Sequence, residues 1–189
     1  MPVRAVHRRT RYAAALGTIG LVGAALALTL APGAAADPRA AQDLAAARAA
    51  TGAFHDLATA RHAGYGILRD TAGIACIDLP GTGAMGVHFV DGGAVGDPTI
   101  AANHPEAVVY EPQPDGRMRL VAVEYVVIKA AWDGLHADPP SLFGQEFMET
   151  PAGNRFGLPA FYSLHAWVWQ HNPAGTFEMW NPDVSCAAG

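Results

Sequence analysis

The stretch Val121-Ala122-Val123-Glu124-Tyr125-Val126-Val127-Ile128 decides the fold. β-branched and aromatic residues fill it, and its apolar positions do not alternate with polar ones. Such a run reads as a central strand buried on both faces, with Glu124 as its single ionisable interruption. Working outward, the chain on either side repeats the texture. Gly86–Val90, Ala107–Glu111, Arg119–Ile128 and Phe161–Gln170 are short apolar runs bounded by Gly, Pro, Asp and Asn. That pattern predicts strands joined by turns.

Pro114-Asp115-Gly116 lies between two of these runs and predicts a hairpin. Proline presets the first turn position, and glycine supplies a positive φ. A type I turn with a bulge at Gly116 sets Gln113 opposite Arg117 and Glu111 opposite Arg119. That register points Glu111 and Glu124 to opposite faces. A two-residue type I′ turn sets Glu111 opposite Leu120 and on the side of Glu124. Proline at 114 favours the first.

Upstream, Asp37-Pro38 reads as an N-cap followed by proline at the first helical position. Residues 37–65 are Ala-rich and predict helix, broken near Thr51-Gly52 and stopped at Gly64. His55 and His62 share a helix face but stand about 10.5 Å apart along the axis, too far for one metal ion. They read as a solvated face. Asp133–Leu158, with Pro139, Pro140 and Pro151, predicts a long irregular excursion of the kind that covers a site.

The first 36 residues have another character. Arg4, Arg8, Arg9 and Arg11 precede an apolar stretch from Tyr12 to Ala31, and Ala34-Ala35-Ala36 precedes Asp37, the first acid. This predicts a signal peptide cut between Ala36 and Asp37, with an uncleaved anchor as the alternative. Residues 37–189 then read as a single α+β domain, helical over 37–65 and mainly β over 66–189. They carry eight basic residues against 17 acids, a net charge of −9, with Lys129 the one lysine. Such a surface repels phosphate backbones and anionic membranes. Neither nucleic acid nor, after cleavage, a membrane is an expected partner. The address is secreted or periplasmic.

Two cysteines, Cys76 and Cys186, agree with an oxidising compartment and predict one disulfide. Closing the loop of 109 residues between them stabilises by at most about 4.7 kcal/mol in the chain-entropy model. The fold expected is α+β: an N-terminal helix on an antiparallel β-sheet or small β-barrel, tied by Cys76–Cys186.

Several chemistries are absent by motif. There is no G-x-S-x-G among three serines, no P-loop, no G-x-G-x-x-G after a strand and no H-E-x-x-H. What remains is four ionisable groups inside apolar runs: His88, Glu111, Glu124 and His165. A charge in such a place is costly unless paired, hydrogen-bonded or bound to a metal. Their convergence predicts a His₂Glu or His₂Glu₂ centre suited to zinc, copper, manganese or iron. The plainer readings are an Glu111–Arg119 pair, a Glu124 bridge to an arginine, His88 at a strand edge and a hydrogen-bonded core His165. His165, Trp167 and Trp169 alternate along one run and so predict one wall. With Tyr110, the two tryptophans are candidate lining for an apolar pocket. His104-Pro105-Glu106 and His171 fall beside turns and are expected to face solvent.

Gly83–Phe89, His104–Pro112, Val121–Tyr125, Leu164–Pro173 and Trp180-Asn181-Pro182 before Cys186 together resemble a family of exported bacterial proteins of unknown function. The resemblance implies export and carries no site residues. The expected function is binding of a divalent transition metal or small ligand inside the sheet, with metal-assisted chemistry if the protein is an enzyme. The alternatives are a metal-free binder of an apolar molecule and a structural envelope protein.

Overall fold

The structure, a computed structural model, describes residues 37–187. The expected signal peptide and its cleavage site lie outside the described residues. In chain order the elements are helix α1 (Pro38–Thr51), a 3-10 turn (Gly52–His55), helix α2 (Leu57–His62), strands β1 (Gly66–Ile67), β2 (Cys76–Leu79) and β3 (Gly83–Val90), helix α3 (Gly92–Val95), strands β4 (Ala107–Pro112) and β5 (Met118–Ile128), helix α4 (Lys129–Asp133), and strands β6 (Ser141–Leu142), β7 (Gln145–Glu146), β8 (Met148–Thr150) and β9 (Phe161–Ala166). Seven strands form one antiparallel sheet in the order β1-β3-β4-β5-β9-β8, with β2 pairing beside β1 on the edge of β3; β6 and β7 form a separate hairpin. The sheet is not a closed barrel. As its apolar run dictates, β5 is an inner strand.

Local chemistry explains the helical layer. The Asp37 carboxylate accepts from the Arg39 N–H at 2.9 Å and Pro38 opens α1. The helix gives way at Gly52, and Asp56 caps α2 by accepting from the Ala58 N–H. Ala47, Ala60, Leu44, Phe54 and Leu57 bring this layer onto one sheet face, where Val87, Phe89, Val108, Tyr110, Val123, Tyr125 and Val127 form the main core. Small alanines let the helices approach closely, and two tyrosines fasten the layers. Tyr110 donates to the Phe54 carbonyl at 2.6 Å, and Tyr65 to the Pro105 carbonyl at 2.7 Å.

The opposite face has a different cover. Ala84, Val109, Val121, Ala122 and Trp167 pack there with Val184 from the C-terminal segment. Asn181 bridges to Ala84 through two backbone hydrogen bonds, and Cys186 is disulfide-bonded to Cys76 of β2. Gly83 is required here: it has φ +140°, and a Cβ would stand 2.3 Å from the Asn181 carbonyl oxygen. Buried Asn172 and Asn181 hold the segment's own turns, donating to the carbonyls of Trp180 and His171.

One irregularity controls the register. Gln113 and Arg117 close the hairpin, with Gly116 at φ +79°, so the turn is the expected type I with a bulge, and Glu111 faces Arg119. Farther along, Val109 faces Ala122 while Tyr110 faces Leu120. Val121 is therefore an extra residue, a β-bulge that shifts the alternation of β5 by one. The expectation that this turn sends Glu111 and Glu124 to opposite faces is corrected by that bulge. Ala107 pairs with Glu124, and Glu111 lies four residues from Ala107 on the same strand, so both acids share a face.

Candidate metal centre

The register assembles the site. His88 on β3 faces Val109, Glu124 on β5 faces Ala107, and His165 on β9 faces Glu124. Val109 and Ala107 are two apart on β4, so all three groups project from the face covered by the C-terminal segment. Between β3 and β5 stands only β4, whose residue at the level of Glu124 is Ala107. A methyl group there leaves room for longer side chains from either flank to meet.

They do meet. His88 Nε2 lies 3.3 Å from Glu124 Oε2, the two imidazole centroids are 5.8 Å apart at 82°, and one donor atom from each of His88, Glu124 and His165 lies within 4.8 Å of the others. Both histidines are buried, at 2% and 4% exposure. None of their four ring nitrogens makes a well-formed hydrogen bond, and only the Gly86 backbone stands beside the His88 ring as a polar neighbour from the main chain. The 3.3 Å contact is thus a close approach without hydrogen-bond geometry. An unsatisfied buried polar group costs about 1–3 kcal/mol, and several of them in one spot need a physical reason.

Burial sets the protonation. It pushes His88 down to about 4, with the Gly86 backbone opposing, and it pushes Glu124 up to about 7 against the neighbouring Ser163 hydroxyl. His165 is held well below the usual imidazole value by burial first and the His88 ring second. Two neutral imidazoles with free lone pairs therefore face one carboxyl group. Tetrahedral coordination at about 2.0–2.1 Å puts donor atoms roughly 3.3 Å apart, the distance already found between His88 and Glu124. The rings are oriented chiefly by packing, with Trp167 4.8 Å from His165 between centroids; beside His88 only the Gly86 backbone stands where metal-binding histidines commonly have an outer partner, and His165 has none.

Two cavities reach the cluster. One of about 390 Å³ touches His88 and Glu124 and is otherwise walled by apolar side chains. Another of about 430 Å³ touches Glu124, Ser163 and His165 and includes Glu146 and Glu178. The excursion Asp133–Leu158 supplies walls to both, Phe156 and Leu158 to the first and Gln145, Glu146 and Met148 to the second.

The remaining expected site residues lie elsewhere. Glu111 shares the face but stands four residues, about 13 Å, along β4 from the level of Glu124. It pairs with Arg119 and accepts from the Ser185 N–H at 3.0 Å, so it braces the C-terminal segment. The single aromatic wall does not form, because β9 ends at Ala166. Trp167 stays beside His165 and donates to the Glu178 carbonyl, whereas Trp169 donates to Thr51 Oγ1 and packs on His55 of the helical layer. Tyr110 is core on the helix side. None of these three lines either cavity. His55, His62, His104 and His171 are exposed as expected, but Glu106 is not. Its carboxylate accepts from the Val126 N–H at 2.9 Å, at a point where β4 has not yet begun, and burial pushes it up to about 7.

Sequence reasoning also missed Asp70 and Arg155. The Asp70 carboxylate accepts from Arg155 at 2.7 and 3.2 Å and from the N–H groups of Ala72 and Ile74, pinning the loop after β1 to the excursion. The signal that existed was a Thr-Ala-Gly turn after Asp70; nothing marked Arg155 as its partner. No family model, curated protein or solved structure matches the chain.

Proposed function

We propose that this is an exported protein that binds one divalent transition metal ion through His88, Glu124 and His165. The observation that carries the reading is a pair of buried imidazoles, with no well-formed hydrogen bond at any ring nitrogen, gathered within reach of one carboxylate. Coordination satisfies two of those nitrogens at once and neutralises the Glu124 charge, which neither a core histidine nor a simple ion pair achieves in this geometry. Two imidazoles and a carboxylate suit zinc, iron, manganese or copper. With three protein ligands the centre keeps a position for water or a small molecule, the arrangement needed for Lewis-acid or water-activating chemistry.

Export is supported by the basic start, the apolar run and the small-residue site before Asp37, together with the disulfide. Among the described residues, no helix is long and apolar enough to cross a membrane.

The test is elemental analysis of untagged protein before and after reconstitution with zinc, copper, manganese and iron, beside His88→Ala and His165→Ala. One equivalent of metal retained by the wild type and lost in both variants is expected. Equal metal contents in all three would end the reading.

A further inference from the structure

The apolar cavity beside the centre is the feature that metal binding alone leaves unexplained. Its volume, about 390 Å³, lies at the small end of the range of ligand pockets. Ile67, Leu68, Val90, Val126, Phe156 and Leu158 supply most of its wall, and among the described residues His88 and Glu124 are the only ionisable side chains lining it. Among the described residues no arginine or lysine lines the cavity, so a ligand's negative charge would find no cationic partner in that wall. The polar groups are gathered at one end, and both belong to the proposed centre.

Two walls of the cavity are tied together by groups remote from the centre. Asp70 and Arg155 clamp the loop carrying Leu68 to the segment carrying Phe156 and Leu158, and the Thr71 N–H donates to the Arg155 carbonyl at 2.9 Å. A pocket braced in this way loses little freedom when filled.

We infer that the cavity takes a neutral, predominantly apolar molecule bearing one oxygen donor, such as a phenol, alcohol or ketone, with that oxygen directed to the open position of the metal. This rests on the metal reading for the placement of the oxygen, and on the cavity alone for the apolar body.

Equilibrium dialysis with naphthalene and 2-naphthol, on the full exported protein with and without zinc, separates the two. Naphthalene is expected to bind equally in both forms. 2-Naphthol is expected to bind about tenfold tighter in the zinc form. Leu158→Trp, which adds bulk at a wall residue outside the proposed ligand set, should abolish binding of both while zinc content stays unchanged; Val95→Trp, from another wall, serves if that variant does not fold. Saturable binding that survives both substitutions, or no binding of either compound to the zinc form, overturns the inference. Failure of the protein to retain zinc, with naphthalene binding still lost in the filled variant, would instead sink the metal reading and with it the placement of the oxygen.

Discussion

His88 and Glu124 sit on strands that never pair, separated by the whole width of β4, yet their side chains approach to 3.3 Å. The contact is not a hydrogen bond, and burial favours the uncharged form of each partner. That combination is unlike a buried salt bridge and supports the proposed ligand set. The distinction has measurable consequences.

Glu124→Gln is the first. At pH 6 a carboxyl group raised to about 7 is mostly protonated, and glutamine nearly matches its shape. Metal-free stability in urea should change by less than about 1 kcal/mol, whereas breaking a true buried ion pair costs about 3–5 kcal/mol. Zinc affinity by calorimetry should fall at least about a hundredfold, since outer-shell losses alone reach that size. A large loss of metal-free stability would favour the ion pair.

His165→Leu removes two buried nitrogens that have no partner and nearly conserves volume. The metal-free variant should gain about 1–2 kcal/mol in denaturant titrations, because an unmet polar group leaves the interior. It should also lose the rise in melting temperature that zinc gives the wild type. A destabilised variant would show that the imidazole contributes to packing in its own right.

Glu106 predicts a pH dependence. Its pKa is raised from 4.5 to about 7 in the folded protein, chiefly by burial. The associated stability is complete below pH 4.5 and is lost as pH climbs through 7, a difference of about 3 kcal/mol by pH 8. Glu106→Gln keeps an oxygen to accept the Val126 N–H and cannot ionise. The variant should therefore exceed the wild type in stability at pH 8 and not at pH 4. Parallel curves for the two proteins across that range would refute it.

The C-terminal segment covers the centre's face and is anchored at its end by Cys186. Replacing both cysteines by serine should cost about 2–4 kcal/mol. Amide hydrogen exchange should quicken first at Ala84 and Asn181, the bridge nearest the released end. Uniform acceleration across the sheet would mean that the segment does not open as a separate unit.

The strands of the central sheet were legible because burial on both faces demands uninterrupted apolar runs, and the type I hairpin was legible because Pro114 and Gly116 each have a backbone reason to be there. The bulge was not. Leu120-Val121-Ala122 contains no glycine, proline or polar residue to mark an extra position, and the shift arises from how β4 and β5 meet. Trp169 misled for a related reason: alternation continues in the letters past Ala166, but the strand does not, since the chain turns there toward Arg48, whose guanidinium donates to the Val168 carbonyl. Glu106 misled because an acid beside a proline reads as a loop residue, while the start of β4 one residue later left the Val126 N–H in need of an acceptor.

By itself, then, the order of residues determined an antiparallel sheet with an N-terminal helical layer, a covalent tie between Cys76 and Cys186, and four ionisable groups placed where water is scarce. These follow from local backbone preference and from the cost of burying charge, both properties of short segments. Only the tertiary structure decided that three of the four, His88, Glu124 and His165, meet, that Glu111 serves Arg119 and Ser185 instead, and that the neighbouring cavity is apolar. Strand register and a single bulge settle such questions, and both are outcomes of many long-range contacts made together.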